Sequence, residues 1–262
     1  MRSVLIYRRG GLGDTLLVFP LLEIFNKKGY RVVAVGNTDY YRLAEEVGWA
    51  DLVLSELPPW DGERVIISYE GNVKPFPEKR IWIVQHYLES LGLKEDFSQE
   101  LPIQASKGGP LEGVAVLHPS SGSWKKNPKL ELFLSVEEVL KRKGYKVVYF
   151  VGEADQWLKG YVSNFWESLN LVEIAKALKA AKLFVGLDSG ISHLSAYLGV
   201  PTFIFYGPTD PIVWRPIGKR VFQISLNLEC SPCFPNVCEA RECLDVNMLL
   251  DRFLYYFNSY TF

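Results

Sequence analysis

The sequence predicts an α/β protein made of two doubly wound parallel-sheet units that face each other across a cleft. Short β-rich runs alternate with longer amphipathic stretches, as in the βαβ units that build parallel sheets. This alternation stops over residues 94–112, which contain Ser, Gln, Gly and Pro and show little periodicity, and then starts again. Each half also opens with a strand, a polar turn and a helix. We therefore expect one domain over residues 1–105 and a second over residues 106–262.

The first half begins with the apolar run SVLIY, which is typical of a buried strand and is followed by a glycine-rich turn. The helices predicted over residues 16–28 and 80–91 end at Gly29 and Gly92, as is common at helix ends. The predicted strands cover residues 3–7, 31–35, 52–54 and 64–68, and the predicted helices cover residues 16–28, 40–47 and 80–91.

The second half repeats the alternation without repeating the sequence. The predicted strands cover residues 114–117, 146–151, 183–186 and 202–205, and the predicted helices cover residues 130–143, 156–169, 171–181 and 189–198. We expect the helix at the C-terminus to pack back on the first domain. Ligands of such sheets bind beyond the carboxyl ends of the strands, so the site is expected in the cleft.

The composition excludes several classes of protein. The 262 residues contain 29 Lys+Arg and 30 Asp+Glu, and this near-zero net charge of −1 provides no polybasic field for a nucleic-acid backbone. No apolar run reaches the roughly 18 residues that a membrane span needs. Only four apolar residues precede Arg8 and Arg9, which is too few for a secretory signal. We therefore expect a cytoplasmic protein that meets membranes, if at all, from their inner surface.

The first turn, residues 8–14, combines two arginines with glycines and an acid. Gly11 and Gly13 allow the backbone to approach a ligand closely. The turn is neither a dinucleotide fingerprint, because a leucine stands where the third glycine is required, nor a P-loop, because no Lys-Ser/Thr follows. Asp14 lies in the first turn of the helix, either as a cap or as a functional carboxylate in the cleft. Arg8 and Arg9 are either solvated surface charges or contacts for acidic groups of a ligand.

The second turn, residues 118–126, follows a strand and is rich in hydroxyl groups. Ser120, Ser121 and free backbone amides suit phosphate oxygens, and the ammonium group of Lys125 would neutralise their charge. A solvated polar loop explains the same composition.

The third turn places Asp188, Ser189 and Gly190 between a buried strand and a helix. The first amide groups of that helix form an anion site, and His193 stays near its entrance because it follows Ser189 by four residues. A structural histidine is the simpler interpretation of His193 taken alone. A Ser-His-Asp hydrolase is not supported, since no G-x-S-x-G elbow occurs.

All four cysteines are clustered near the C-terminus, where Cys230, Cys233, Cys238 and Cys243 could ligate one ion. In a reducing compartment, clustered cysteines more often bind metal than form disulfides. Three interpretations stay open: a structural zinc site, a set of disulfides or redox-labile thiols, and simple reduced cysteines.

Taken together and in order, these motifs resemble glycosyltransferase family 9, which holds the ADP-heptose:lipopolysaccharide heptosyltransferases. The resemblance covers roughly residues 3–250 and is carried by Gly11-Leu12-Gly13-Asp14 with Pro20, by His118 to Lys125 with Pro128, by Asp188-Ser189-Gly190-x-x-His193, by Gly199-x-Pro201 and by Phe205 to Pro211. The cysteine-rich tail is also similar to that of some members.

The resemblance implies a GT-B fold, with an acceptor held by the first domain and a nucleotide-sugar donor by the second. It implies inversion at the anomeric carbon without a catalytic metal, which agrees with the absence of an Asp-x-Asp motif. Matched by position, Asp14 is the expected general base. The expected donor contacts are Ser120, Ser121, Lys125, Asp188, Ser189, Gly190 and His193, with Glu153 as a ribose contact and Arg8, Arg9, Gly11 and Gly13 on the acceptor side.

The resemblance therefore predicts transfer of heptose from ADP-heptose to a lipopolysaccharide inner core, such as a Kdo-lipid A core. Alternatives are a related transferase that uses another nucleotide sugar and a non-catalytic nucleotide-sugar-binding module. The first turn lacks the third glycine of the dinucleotide fingerprint, which argues against an NAD-linked oxidoreductase. No cofactor is expected for the reaction itself.

Overall fold

Two parallel β-sheets form the framework of the chain in the computed structural model, which describes residues 2–261. The first sheet has four strands and the second has six, and every pair of neighbouring strands is parallel. The α/β fold class with two parallel-sheet units is therefore confirmed.

The first sheet has the spatial order β3-β2-β1-β4, where the strands are β1 (Ser3–Arg8), β2 (Arg31–Gly36), β3 (Leu52–Leu54) and β4 (Glu63–Ile66). Its helices are α1 (Leu12–Leu16), α2 (Phe19–Lys27), α3 (Thr38–Glu46) and α4 (Ile83–Ser90). The single helix predicted over residues 16–28 is instead interrupted after Leu16. Pro20 lies in the first turn of α2, where its missing amide hydrogen has no partner to lose.

The second sheet has the spatial order β10-β9-β8-β5-β6-β7. Its strands are β5 (Ala115–His118), β6 (Val147–Val151), β7 (Phe165–Glu167), β8 (Leu183–Leu187), β9 (Thr202–Phe205) and β10 (Val221–Ile224). Its helices are α5 (Glu131–Arg142), α6 (Leu171–Leu178), α7 (Gly190–Tyr197) and α8 (Val246–Thr261).

The prediction of a helix over residues 156–169 is wrong. This segment forms a 3₁₀ turn, Glu153–Gly160, followed by the edge strand β7. Phe165 pairs with Tyr149 of β6, and the Trp166 ring lies 5.8 Å from that of Phe150. Aromatic residues that pack on a neighbouring strand favour the extended conformation over a helix.

The C-terminal helix α8 packs on the second sheet, not on the first domain as expected. Its buried residues Leu249, Phe253 and Phe257 share a core with the strands of that sheet. The Phe253 ring lies 5.5 Å from that of Phe203 in β9. The aromatic face of α8 thus meets an aromatic face of the sheet, and this contact fixes its position.

The largest hydrophobic core includes residues from both halves of the chain. Tyr197 of α7 lies with its ring 6.4 Å from Phe19 and 6.2 Å from Trp49. The segment between the sheets joins this core, because Leu101 is buried and donates its amide hydrogen to the carbonyl of Tyr197. We call this aromatic contact and its surroundings the shared core.

Candidate active site

A cavity of about 570 Å³ lies between the two halves at the carboxyl ends of the strands. The turn after β1 lines one side, and the turns after β5, β6 and β8 line the other. This is the place where parallel sheets bind ligands. All three turns that the sequence singled out therefore contribute residues to one cavity.

The turn after β1 holds Asp14 in a defined orientation. The amide of Gly11 donates to Oδ2 of Asp14 at 3.1 Å, and Nη2 of Arg8 donates to Oδ1 at 2.6 Å. Gly11, Gly13 and Asp14 all line the cavity. Arg9 instead points to Ser55 and Glu56, where its Nη2 donates to a carbonyl at 2.7 Å and a carboxylate at 3.0 Å.

The turn after β5 contributes hydroxyl groups and one lysine to the cavity. Ser120 is buried at the cavity wall, whereas the Ser121 hydroxyl donates within its own loop. Lys126 lies at the cavity, and its Nζ donates to the carbonyl of Asp188 at 2.7 Å and to Oδ2 of the same residue at 3.3 Å. Lys125, the lysine expected here, donates to the carbonyl of Pro235 at 2.5 Å.

Sequence reasoning selected Lys125 because position in the motif could not distinguish two consecutive lysines. In the structure both belong to a 3₁₀ turn, Trp124–Lys126. Successive side chains of such a turn point about 120° apart, so only one of the two can face the cavity.

The turn after β8 contributes buried polar side chains to the site. Ser189 caps α7 by accepting from the amide of Ser192, and Gly190 opens the helix at the cavity. Burial raises the pKa of Asp188, but the neighbouring His193 and the charge of Lys126 outweigh it and bring this pKa to about 2. His193 Nε2 lies 3.7 Å from Oδ1 of Asp188. Asp188 is therefore an anion at neutral pH, and its carboxylate contacts both Lys126 and His193.

A second buried histidine–carboxylate pair was not foreseen from the sequence. His118 Nε2 lies 2.9 Å from Oδ2 of Asp155, and both residues line the cavity. Burial raises the pKa of Asp155, but hydrogen bonds from His118, Ser120 and the Gly152 amide outweigh it and lower this pKa overall. The available signal was positional, since His118 ends β5 and Asp155 follows the adjacent strand β6.

Glu153 lies beside this pair as an exposed side chain at the rim of the cavity. Close by, the wall becomes apolar where the loop after β7 meets α6. That part of the wall is made by Phe150, Leu169, Leu171 and Ile174. An apolar wall with an acid at its edge is suited to a nucleoside, whose base is aromatic and whose ribose carries hydroxyl groups.

The two halves touch directly at the cavity, where the N-terminal ends of α1 and α7 meet. A Cβ atom placed on Gly190 would lie 2.6 Å from Cβ of Leu12 and 3.1 Å from the amide nitrogen of Gly13. Any side chain at position 190 would therefore force the helices apart. This glycine contact brings Asp14 and the turn after β8 to the same cavity.

The loop after β9 closes the cavity from a further side with Thr209 and Trp214. It is held by a segment of the first half, because Arg80 donates to both carboxylate oxygens of Asp210, at 2.5 and 3.2 Å. The indole of Trp82 donates to the carbonyl of Arg215 at 2.6 Å. We call this contact between residues 76–83 and 208–216 the clasp.

The four cysteines lie near one another beside Lys125, and none of the four lines the large cavity. Burial, reinforced by the neighbouring thiols, raises the pKa of Cys243 and of Cys233. Among residues 2–261, no group of three or more His, Cys, Asp or Glu side chains is arranged to hold a metal ion. The zinc site stays a prediction.

Comparison with a family model matches residues 85–244 to glycosyltransferase family 9 (heptosyltransferase). A curated relative, lipopolysaccharide heptosyltransferase 3 of Escherichia coli (strain K12), is 23% identical over 181 residues. That match covers 64% of this chain and 51% of the relative. Other curated relatives, the lipopolysaccharide heptosyltransferases 1 of Pseudomonas aeruginosa and Salmonella typhimurium, are matched over only 20% and 19% of their length.

Two solved structures share the fold over nearly all of this chain. The E. coli heptosyltransferase WaaC with ADP superposes with a TM-score of 0.70 at 18% identity, covering 98% of this chain and 99% of that one. The iron-containing dodecameric heptosyltransferase TibC, in complex with ADP-D-β-D-heptose, superposes with a TM-score of 0.75 at 19% identity, covering 98% and 76%. At this identity the likeness establishes the shared GT-B architecture.

Proposed function

The chain belongs to glycosyltransferase family 9, and from this premise we propose that it is an inverting glycosyltransferase. It moves a sugar from a nucleotide-sugar donor to a lipopolysaccharide inner-core-like acceptor. The observation that carries the proposal is one cavity with a carboxylate, Asp14, on the wall made by the first half, and with the ammonium group of Lys126 and the first amides of α7 on the wall made by the second.

The donor is proposed to lie against the second half. Lys126 and the first amides of α7 supply positive charge and donors for a diphosphate, and the Ser120 hydroxyl, which donates to Asp155, lies at the same wall of the cavity. Glu153 is placed to accept from ribose hydroxyl groups, and the apolar wall beside it is placed to cover a nucleobase. ADP-heptose is the proposed donor, because WaaC and TibC, which share the fold, hold ADP and ADP-D-β-D-heptose.

The acceptor is proposed to enter on the side of the first half. Its hydroxyl loses a proton to the Asp14 carboxylate while its oxygen forms a bond to the anomeric carbon of the donor sugar. The bond from that carbon to the diphosphate oxygen breaks at the same time, and the leaving diphosphate keeps the electron pair. Attack opposite the leaving group inverts the anomeric centre. Because Lys126 and the helix amides can carry the leaving charge, the reaction is proposed to proceed without a metal.

Substitution of Asp14 by Asn tests the assignment of the base. The amide keeps the size of the side chain but cannot take up the proton, so we expect transfer to fall at least about 100-fold while ADP binding stays within about twofold. Release of ADP from ADP-heptose, with a Kdo-lipid A core as acceptor, measures the transfer. If the variant turns over at nearly the wild-type rate, Asp14 is a helix cap and not a base.

Ligand-induced stabilisation tests the donor class in the same preparation. We expect ADP to raise the melting temperature more than UDP, GDP or NAD does. Stabilisation by NAD alone would contradict a transferase. Stabilisation by ADP together with no transfer to any acceptor would identify a nucleotide-sugar-binding module.

The proposed acceptor is lipid-linked, and the corresponding site of action is the inner face of the cytoplasmic membrane. Within residues 2–261 the structure contains no helix that is long and apolar enough to cross a membrane. We propose that the chain contacts the membrane from its surface. Sedimentation of the chain with vesicles that carry the acceptor measures this contact.

Metal analysis distinguishes the interpretations of the four cysteines that the sequence left open. A structural zinc ion predicts about one equivalent of metal in the purified chain and its loss in Cys230→Ser. Unchanged stability on chelation, together with four titratable thiols, would instead show simple reduced cysteines, which is the state that the raised pKa values of Cys233 and Cys243 favour.

A further inference from the structure

Arg8 is enclosed by the first half of the chain, although its position in the sequence suggested a contact with the acceptor. It is the last residue of β1, and only 9% of its side chain is exposed. The ring of Phe76 lies 5.8 Å from its guanidinium carbon, and the hydroxyl of Tyr41 donates to its carbonyl at 3.4 Å. These contacts hold Arg8 in place and leave little of it for a ligand to reach.

The guanidinium group of Arg8 is directed at the proposed base. Its Nη2 lies 2.6 Å from Oδ1 of Asp14, which is the distance of a strong charge-assisted hydrogen bond. The Gly11 amide holds the other carboxylate oxygen at 3.1 Å. A carboxylate has about four lone-pair positions, so these two bonds leave room for one more donor at each oxygen. Asp14 remains 26% exposed at the cavity.

The backbone beside Asp14 completes this restraint. A Cβ atom on Gly10 would lie 2.7 Å from Cβ of Asp14, so the side chain is seated directly against the glycine. Asp14 is thus held by Arg8 on one oxygen, by Gly11 on the other and by Gly10 behind it.

We infer that Arg8 is a positioning residue that fixes the orientation of the Asp14 carboxylate toward the acceptor hydroxyl, and that it does not bind the acceptor itself. This inference rests on the proposed function. A general base must lie within about 3 Å of the proton donor, and a misplacement of about 1 Å costs on the order of 100-fold in rate. Loss of Arg8 leaves the Asp14 carboxylate with one fixed oxygen and freedom to rotate.

The two possible roles of Arg8 affect different kinetic constants. A residue that binds the acceptor contributes to the KM for acceptor, whereas a residue that aims the base contributes to kcat. Lysine at position 8 keeps the charge and can donate to Oδ1, but it lacks the rigid planar fork of arginine. Partial rescue of kcat by lysine, with the KM for acceptor unchanged, is therefore the result specific to the positioning role.

The experiment compares Arg8→Ala, Arg8→Lys and Lys27→Ala with the wild-type chain. Lys27→Ala is the matched control, because it removes the cation from Glu23, a buried carboxylate of the same half outside the cavity. Steady-state transfer is measured with ADP-heptose and a Kdo-lipid A core, and ADP-induced stabilisation is measured on each variant.

For Arg8→Ala we expect kcat to fall about 100-fold, with the KM for acceptor and the ADP-induced stabilisation within about twofold of wild type. Arg8→Lys should recover at least about tenfold of that loss, and Lys27→Ala should keep the wild-type kcat.

An Arg8→Ala variant with unchanged kcat, or with a raised KM for acceptor as its only defect, overturns the inference. So does a fall in kcat that lysine does not relieve and that Lys27→Ala reproduces, because it would reflect general damage to the fold. A wild-type chain that transfers no sugar overturns the proposed function, and the inference with it.

Discussion

Lys125 and Lys126 are consecutive residues whose ammonium groups lie in different surroundings. Lys126 is held at the cavity by Asp188, whereas Lys125 donates to Pro235 near the cysteines. We predict that Lys126→Ala weakens ADP binding about 10- to 100-fold, the loss typical of a charge-assisted hydrogen bond. Lys125→Ala should change it by less than about twofold.

Calorimetric titration of each variant with ADP measures this difference. The melting temperature without ADP is recorded as well, because Lys126→Ala also removes a partner of the buried Asp188. Equal weakening by the two substitutions, or a larger effect at Lys125, would show that the wrong lysine has been assigned to the diphosphate.

For single residues, the sequence predicted which turns line the cavity better than it predicted which side chains of those turns reach it. Asp14, Ser120 and His193 all reach the cavity as predicted, because each follows or ends near a strand of a parallel sheet. Arg9 does not reach it, since its direction is set by contacts with Ser55 and Glu56, about 46 positions away in the chain. Such long-range contacts leave no signal in a local motif.

Helices α1 and α7 approach so closely that their contact requires glycine at position 190. The nearest atom to a Cβ placed there is Cβ of Leu12, at 2.6 Å. We predict that Gly190→Ala lowers the free energy of unfolding by about 1–3 kcal/mol, the usual cost of overpacking, and reduces transfer by displacing the turn after β8 from Asp14.

Gly160→Ala is the matched control, since a Cβ atom on Gly160 would meet nothing within 4 Å. Equilibrium unfolding in urea compares the two variants. If both have the same stability as the wild-type chain, the two helices have room to adjust and the contact does not set the geometry of the site.

Among the elements, the strands buried on both faces were the easiest to predict. β8 and β9 agree with their predicted bounds to within one residue, because continuous apolar runs between turns leave little alternative. The segment Glu153–Glu167 misled prediction, since its aromatic residues fit an amphipathic helix equally well. Only the pairing of β7 with the edge of the sheet shows that this part of the segment is a strand and not a helix.

The clasp joins the two halves at a second place beside the cavity, in addition to the contact of α1 with α7 at Gly190. Its ion pair has one exposed partner, Arg80, and one largely buried partner, Asp210. Because an exposed partner makes such a pair weak, we predict that Arg80→Ala changes the free energy of unfolding by less than about 1 kcal/mol. Hydrogen exchange over residues 208–216 should nevertheless become faster, by up to about fivefold, because this loop loses one of its anchors.

Exchange measured by mass spectrometry checks the prediction against Arg142→Ala. That control removes an exposed ion pair with Glu138 within α5, far from the loop. Unchanged exchange over residues 208–216 in Arg80→Ala would mean that the bonds of Trp82 and the packing of Trp214 hold the loop without the ion pair.

The shared core makes the two halves thermodynamically dependent on each other. Since Tyr197 packs against Phe19 and Trp49, unfolding of either half exposes apolar surface of the other. When one half unfolds, the other half is left with exposed apolar surface and becomes less stable. The chain should therefore melt as one cooperative unit. A nucleotide held entirely by the second half would then protect the first half from heat and proteases as well, without touching it.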